Sequence, residues 1–289
     1  MEVDNQILSD FRYCPTRGFY RHVLSRVPKA RTVATSFGSA MHKGIEIYEK
    51  TGRNIEKGVL AFGKDYASLD GIDKIRTLEK GEELLRAYHR QFCNDGWECL
   101  VVETKFKIEI AEDVVYVGKI DQLGKMGEFG LGVKDIKTST QPWNYVYTPN
   151  DQFTGYLLGG QAIMGKECEN FWLDLLGVFA SSKEGFRKKK DGGVESVLQR
   201  VHIQRTESQL ERFVENAVAW ARLVEAWSLQ GRAPMNTDNC NGKYGPCPYH
   251  TICSSPPEKQ QSLLEELYVE ERWLPGGPDG EKGGDIGRD

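Results

Sequence analysis

The chain has 289 residues, 39% apolar and 28% charged, with a formal net charge of −4. That is enough to bury one large or two modest cores, and it excludes a chain that is disordered throughout. No run reaches the roughly 18 apolar residues of a membrane span and the N-terminus has no apolar signal core, so no membrane partner and a cytoplasmic location are expected. The mild acidity leaves any nucleic-acid contact to local patches.

The first such patch is residues 12–31, RYCPTRGFYRHVLSRVPKAR, where Arg12, Arg17, Arg21, Arg26, Lys29 and Arg31 alternate with Tyr13, Phe19 and Tyr20 and no acid intervenes. It reads either as a groove that pairs phosphates and stacks bases or as a cationic amphipathic helix. A helix is expected from Ser36 to Lys50, with Gly38, His42 and Glu46 on one face. Another is expected from about Ile75 to Phe92, striped by Ile75, Leu78, Leu85, Tyr88 and Phe92. Strands are expected at about 100–110, 113–122 and 131–138. Punctuation at Pro149 and Asn150 then precedes a helix from Asp151 to Met164, whose glycines at 155, 159 and 160 suit close packing on a sheet.

Strands at about 170–180 and 197–204 flank a basic run, Arg187 to Lys190, that looks like an exposed hairpin tip before Asp191, Gly192 and Gly193. Thr206 and Gln209 form a capping box for a long helix ending near Gly231, with Leu210, Phe213, Val214, Ala217, Val224 and Trp227 as its stripe. Beyond Leu274 the glycine-rich, charged tail is expected to be mobile. The order is that of an α/β fold with a mixed sheet.

The chemistry concentrates in VGKIDQLGKMGEFGLGVKDIKTST, residues 117–140. Lys119 and Asp121 share one face of the first strand; Val133, Asp135 and Lys137 share one face of the second. A turn centred on Glu128 sets Asp121 opposite Asp135. Two carboxylates about 5 Å apart, with an ammonium about 6.6 Å along the strand, repel unless a cation joins them. A solvated edge hairpin is the competing reading, as an exposed strand acid is for Glu103.

In chain order, Gly38-x3-His42, Asp121, Asp135-x-Lys137 and Gln152-x3-Tyr156 resemble the PD-(D/E)xK nuclease superfamily, and within it the RecB-like exonucleases with their CRISPR-associated and phage branches. The resemblance runs from about Phe11 to Cys253. It implies a restriction-endonuclease-like core: a central mixed sheet flanked by helices, an N-terminal helical segment and a Cys-rich C-terminal region. It also implies that His42, Asp121, Asp135 and the Ile136 carbonyl hold Mg2+ or Mn2+, and that Lys137 stabilises developing charge on the attacked phosphate. Gln152 and Tyr156 then line the site and contact the DNA backbone or position Lys137. Asp135 departs from the glutamate of many relatives.

Cys14 and the run CNGKYGPCPYHTIC, with Cys240, Cys247 and Cys253, resemble the iron-sulfur staple of the same nucleases and imply a [4Fe-4S] cluster. The six residues between Cys240 and Cys247 depart from the two usual there. Zinc, with His250 completing a three-cysteine site, is the alternative. Cys93, Cys99 and Cys168 read as ordinary thiols.

The expected organisation is a basic segment contributing Cys14 (1–35), a helical segment with His42 (36–98), a nuclease core (99–205), a long helix with the Cys-rich region (206–258), and a C-terminal helix with its tail (259–289). The expected function is a metal-dependent DNA exonuclease preferring single strands or free ends, in a bacterial, archaeal or phage-infected cell. A helicase or a CRISPR integration protein is the expected partner. The alternative is a catalytically silent DNA-binding or scaffold subunit of a helicase-nuclease or integration complex.

Overall fold

The computed structural model describes residues 1–29, 33–66, 73–142, 150–242 and 245–276. In chain order the main elements are α1 (Asn5–Tyr13), α2 (Val33–Lys50), α3 (Ile55–Tyr66), α4 (Leu78–Phe92), β1 (Trp97–Ala111), β2 (Val114–Met126), β3 (Gly130–Ser139) and α5 (Asp151–Met164). They continue with β4 (Asn170–Gly177), β5 (Leu198–Gln204), α6 (Glu207–Gln230) and α7 (Pro257–Leu267). The chain divides into two compact units, one of Met1–Ala30, Lys107–Gly118 and Ser208–Asp289, the other of Arg31–Phe106 and Lys119–Glu207.

In the second unit, β2 lies between β1 and β3, and the sheet continues through β4 to β5. β2 and β3 are antiparallel, β3 and β4 parallel, and β4 and β5 antiparallel, which makes the sheet mixed, as expected. The parallel β3–β4 pair requires a crossover, and α5 supplies it. Its Gly159 lies where a Cβ would strike the Phe106 ring at 2.5 Å, and Gly160 where one would strike Val133 at 2.6 Å. The glycines therefore let the helix lie directly on the sheet. Phe153 stacks on Phe171 beneath it, ring centroids 4.8 Å apart.

The opposite sheet face carries Ile136, Leu176 and Leu198, covered by Phe37, Met41, Ile45 and Tyr48 of α2, Val59 and Phe62 of α3, and Leu84, Leu85 and Tyr88 of α4. Helix α3 goes beyond the elements expected from sequence. Helix α4 starts later than expected because Thr77 caps it, its hydroxyl accepting from the Lys80 amide at 3.1 Å. Ile75 thus precedes the helix, and Leu78 is 36% exposed rather than part of the stripe.

A buried ionic chain runs along this face. Lys134, with no exposed surface, reaches Glu49 at 3.3 Å and lies over the Trp97 ring. Arg53 joins Glu49 to Asp95, and Arg200 joins Asp95 to Asp174, whose Oδ2 also accepts from Tyr88 at 2.8 Å.

In the first unit, Glu2–Val3 pairs in parallel with Val115 and Tyr116. Asp4 caps α1 by accepting from the Ile7 amide at 2.8 Å. The basic stretch is not one amphipathic helix: it passes from α1 through a turn (Pro15–Gly18) and a π-helical turn (Phe19–Val23) to a strand (Arg26–Pro28) that pairs with Tyr268–Glu270. Its described cations already have partners: Arg12 donates to the Leu8 carbonyl at 3.1 Å, Arg26 lies 3.8 Å from Glu270, and Lys29 donates to the Glu266 carbonyl. Arg17 pairs with Asp10 at 2.7 Å and Arg21 lies over Trp273, while Arg31 falls outside the described residues.

Helix α6 begins directly after Thr206, as the capping pattern predicts, and buries Leu210, Phe213, Ala217, Ala221 and Val224. The buried stripe thus runs through Ala221, while Val214 and Trp227 are only half-buried. Pro149 and the tail from 277 onward lie outside the described residues. No helix among the described residues is long and apolar enough to cross a membrane.

Candidate active site

The β2–β3 ladder pairs Met126 with Gly130 and runs back to Gln122 with Lys134, so the turn is centred on Glu128. Continuing that register by one pair sets Asp121 against Asp135, as the sequence spacing predicts. Here the ladder stops. The Ile136 amide donates to Asp121 Oδ2 at 3.3 Å, so a side-chain oxygen replaces a main-chain acceptor where the strands part. In the β3–β4 register Asp135 lies beside Leu173 and Lys137 beside Leu175, both fully buried. The charged groups therefore sit against an apolar floor, where electrostatic interactions are strong.

Helix α2 brings His42 to the same place, its Nδ1 3.0 Å from Asp121 Oδ2. Glu46, one turn on, is held instead by Lys43 and Lys50. Lys137 Nζ donates to Asp135 Oδ1 at 3.2 Å. It also lies 3.0 Å from Oδ2, yet that oxygen has no well-aligned hydrogen bond although the residue is only 1% exposed.

Burial disfavours the His42 imidazolium, but the adjacent Asp121 carboxylate and their hydrogen bond outweigh it and carry His42 up to about 9. Burial also opposes the Asp121 carboxylate, yet His42 and Lys137 overcome this and hold it well below the usual range. Asp135 goes the other way. Burial raises it, Lys137 offsets only part of that, and the neighbouring Asp121 charge adds to the rise.

Gln152 and Tyr156 come together on α5, where Gln152 Nε2 donates to Tyr156 Oη at 2.9 Å. Asn150 fixes the start of that helix by accepting from the amides of Gln152 and Phe153 at 2.9 and 3.4 Å. The sequence marked Asn150 only as punctuation, although an Asn directly before a helix is itself a cap signal. Glu103 pairs with Lys119 and adopts a left-handed φ of +53°, so it is a strained, partnered strand residue and not a simple exposed acid.

Two carboxylates, an imidazole and one unsatisfied buried carboxylate oxygen make a donor set suited to a hard divalent cation. As they stand, His42 is engaged by Asp121 and Lys137 by Asp135. Among the described residues no three histidine, cysteine, aspartate or glutamate side chains form a ready metal-holding group.

The profile of the PD-(D/E)XK nuclease superfamily matches residues 6–254. The chain belongs to that superfamily. Its fold resembles that of a protein from Eubacterium rectale named for exonuclease activity, at 14% identity over 83% of this chain and 86% of that one, with a TM-score of 0.50. Weaker structural similarity reaches the alkaline exonuclease LHK-Exo of Laribacter hongkongensis (11% identity over 66% and 89% of the two chains, TM-score 0.33). Its complex with dAMP aligns similarly, at 12% identity over 68% and 94%, with a TM-score of 0.34. No curated protein matches the chain in a sequence comparison. In this nuclease superfamily member, the four expected motif residues His42, Asp121, Asp135 and Lys137 thus form one connected cluster.

The first unit brings Cys14, Cys240, Cys247 and Cys253 to a single small pocket, shared with Arg17, Asn236, Asn239 and His250. Asn236 and Asn239 make this possible by donating side-chain amides to the Tyr13 carbonyl at 3.2 and 2.5 Å, which ties Cys14 to the later run. Neither asparagine lies in a local sequence pattern that points to this role. The main-chain amide of Asn236 also donates to Cys14 Sγ at 3.4 Å. All four cysteines are free thiols. Burial, followed by the neighbouring cysteines, pushes Cys253 up to about 11, and Cys247 rises chiefly by burial. Thiolates so placed repel one another unless a cationic centre compensates, and either iron or zinc supplies that charge.

Proposed function

We propose that this chain is a divalent-metal-dependent DNA exonuclease of the RecB-like kind, acting on single strands or free ends. The observation that carries the reading is the cluster in which Asp121 and Asp135 meet where the strands part, with His42 on one acid and Lys137 on the other. In this reading Asp121, Asp135, His42 and the Ile136 carbonyl would hold Mg2+ or Mn2+. Such an ion supplies Lewis acidity toward a phosphate oxygen and makes a nearby water easier to deprotonate.

The remaining work falls to the protein's own groups. Lys137 Nζ presents donors where phosphate charge grows, and its bond to Asp135 keeps the ammonium aimed. Gln152 and Tyr156, paired on a helix anchored by Asn150, hold the DNA backbone in register with that ammonium. The buried leucine floor excludes water and strengthens each of these interactions.

The test is degradation of end-labelled linear and circular single-stranded DNA with Mn2+, with Mg2+ and with chelator. Linear strands are expected to shorten with either metal while circles persist. Lys137→Ala should lose about 100-fold or more of the rate and still bind DNA. Absence of cutting by the wild type with both metals supports the silent scaffold instead; cutting of circles supports an endonuclease.

We further propose that Cys14, Cys240, Cys247 and Cys253 hold a [4Fe-4S] cluster that staples the ends of the first unit. Anaerobic purification with visible absorption and metal analysis checks this, and stoichiometric zinc without iron refutes it. Partnership with a helicase or a CRISPR integration protein, and a place in the phage or CRISPR branch, belong to the same proposal. Co-purification of the tagged chain from its host tests them.

A further inference from the structure

One basic element of the second unit has no part in the site above. Between β4 and β5 the chain forms a short antiparallel hairpin, Phe186–Lys188 paired with Val194–Ser196, turning through Gly192 at φ +88°. Its pairings are Phe186 with Ser196, Arg187 with Glu195, and Lys188 with Val194. Cross-strand partners share a face, so the hairpin has two distinct sides.

The inner side is anchored. Arg187 Nε meets Glu195 at 2.5 Å, and its guanidinium lies 4.2 Å from the centroid of the Phe179 ring. The root is fixed to α4: Lys80 donates to the Ser182 carbonyl at 2.6 Å, Arg90 to the Glu184 carbonyl at 3.1 Å, and Ser196 Oγ to Gln91 at 2.9 Å. The outer side presents Phe186, 51% exposed, and Val194, 64% exposed, with Lys188 across the ladder from Val194 and Lys189 and Lys190 at the tip.

Within the turn, Asp191 accepts from the Gly193 amide at 2.9 Å, and the nearest acid to Lys189 is Glu195 at 3.9 Å. A rigidly rooted hairpin that exposes an aromatic ring flanked by three lysines does not serve the fold. Isolated solvated lysines need no phenylalanine held out beside them, whereas a single strand offers both a base to stack and phosphates to neutralise. The hairpin also springs from the sheet end at which the catalytic strand leaves. Ser139 accepts from the Val178 amide at 2.8 Å, and Leu175 of β4 is the neighbour of Lys137.

We infer that the outer face and tip of the 186–196 hairpin form a single-stranded DNA contact, in which Phe186 on the face stacks on a base and Lys188, with Lys189 and Lys190 at the tip, neutralises phosphates. This rests on the nuclease reading and extends it by naming a strand-binding element outside the active site. An acidic peptide would satisfy the lysines and leave the ring unused.

The test measures anisotropy of a labelled oligothymidylate with the intact chain in chelator, across a salt series. Lys188→Gln with Lys189→Gln and Lys190→Gln should lower the slope of log affinity against log salt by about 2, near 0.7 per lost phosphate contact. Phe186→Ala should weaken binding about 10-fold and leave that slope unchanged, because stacking releases no counterions. Phe186→Leu keeps an apolar side chain but no ring and should match Phe186→Ala, so a packing defect in the alanine variant cannot imitate the result. A triple variant with the wild-type slope, or a leucine variant with wild-type affinity, overturns the inference while the nuclease reading stands. A wild type that neither binds nor cuts single strands overturns both.

Discussion

Replacing Asp135 by asparagine should make the metal-free protein more stable and its metal response weaker. In the wild type, Oδ2 of Asp135 is buried without a well-aligned hydrogen bond. Leaving such an atom unsatisfied costs about 1 to 3 kcal/mol. Against this, the substitution gives up an ion pair with Lys137, whose side chain is 18% exposed, worth about 1 kcal/mol.

The net gain expected in chelator at pH 8 is about 1 kcal/mol, or about 2 to 4 °C in melting temperature for a protein of this size. The pH dependence has a definite sign. Because Asp135 titrates above its ordinary range in the fold, its favourable protonated contribution is complete below that range and is lost as pH rises through the raised value. The advantage of asparagine should therefore grow from acid toward pH 8.

Adding Mn2+ at about 100 times its Kd should raise the wild type by about 2.7 kcal/mol and the variant by much less, reversing the order. Thermal melts with and without Mn2+ across pH measure both effects. An asparagine variant that melts below the wild type in chelator, or gains equally from Mn2+, refutes the assignment of this oxygen to a cation site.

Three further outcomes follow from other parts of the molecule. In the proposed site a metal has to displace the proton from His42, which Asp121 carries up to about 9 against the opposing effect of burial, so Mn2+ affinity should rise with pH up to that value and flatten beyond it; calorimetry tests this, and His42→Gln should give a shallower profile. Asp174→Ala removes the acceptor of the Tyr88 hydroxyl and leaves Arg200 with Asp95 as its remaining acidic partner, and should lose about 1 to 3 kcal/mol by urea unfolding; an unchanged midpoint would mean that solvent reaches the hydroxyl. Gly81→Ala would drive a methyl to 1.9 Å from the Phe62 ring, so its urea midpoint should fall by the equivalent of about 1 to 3 kcal/mol, and an unchanged midpoint would show that α3 and α4 separate easily.

The sequence made the register of the β2–β3 hairpin legible because two constraints agreed: alternation on each strand and a turn whose centre could be counted. Helix α5 was equally readable, since Asp151 and Met164 bound a short apolar helix between turn residues. Contacts that depend on distant segments were not. Nothing near Tyr13 announces that Asn236 and Asn239 will hold its carbonyl, and nothing in the local run Gly132-Val133-Lys134-Asp135 singles out Lys134 as fully buried. Its position beside Asp135 made it look like one more strand charge, because local pattern carries no information about what covers the far face. The start of α4 failed for a smaller reason, a threonine cap two residues after an apolar Ile75 that resembled the beginning of the stripe.

The ionic chain through Lys134 has an effect on how β3 can assemble at all. Sliding that strand by a single residue would swing Lys134 to the Leu173 side and turn Asp135 toward Glu49, bringing acid to acid and leaving an ammonium against hydrocarbon. Misaligned pairings of the sheet are thereby penalised from both surfaces at once, and strand pairing by itself brings the two carboxylates to their opposed positions.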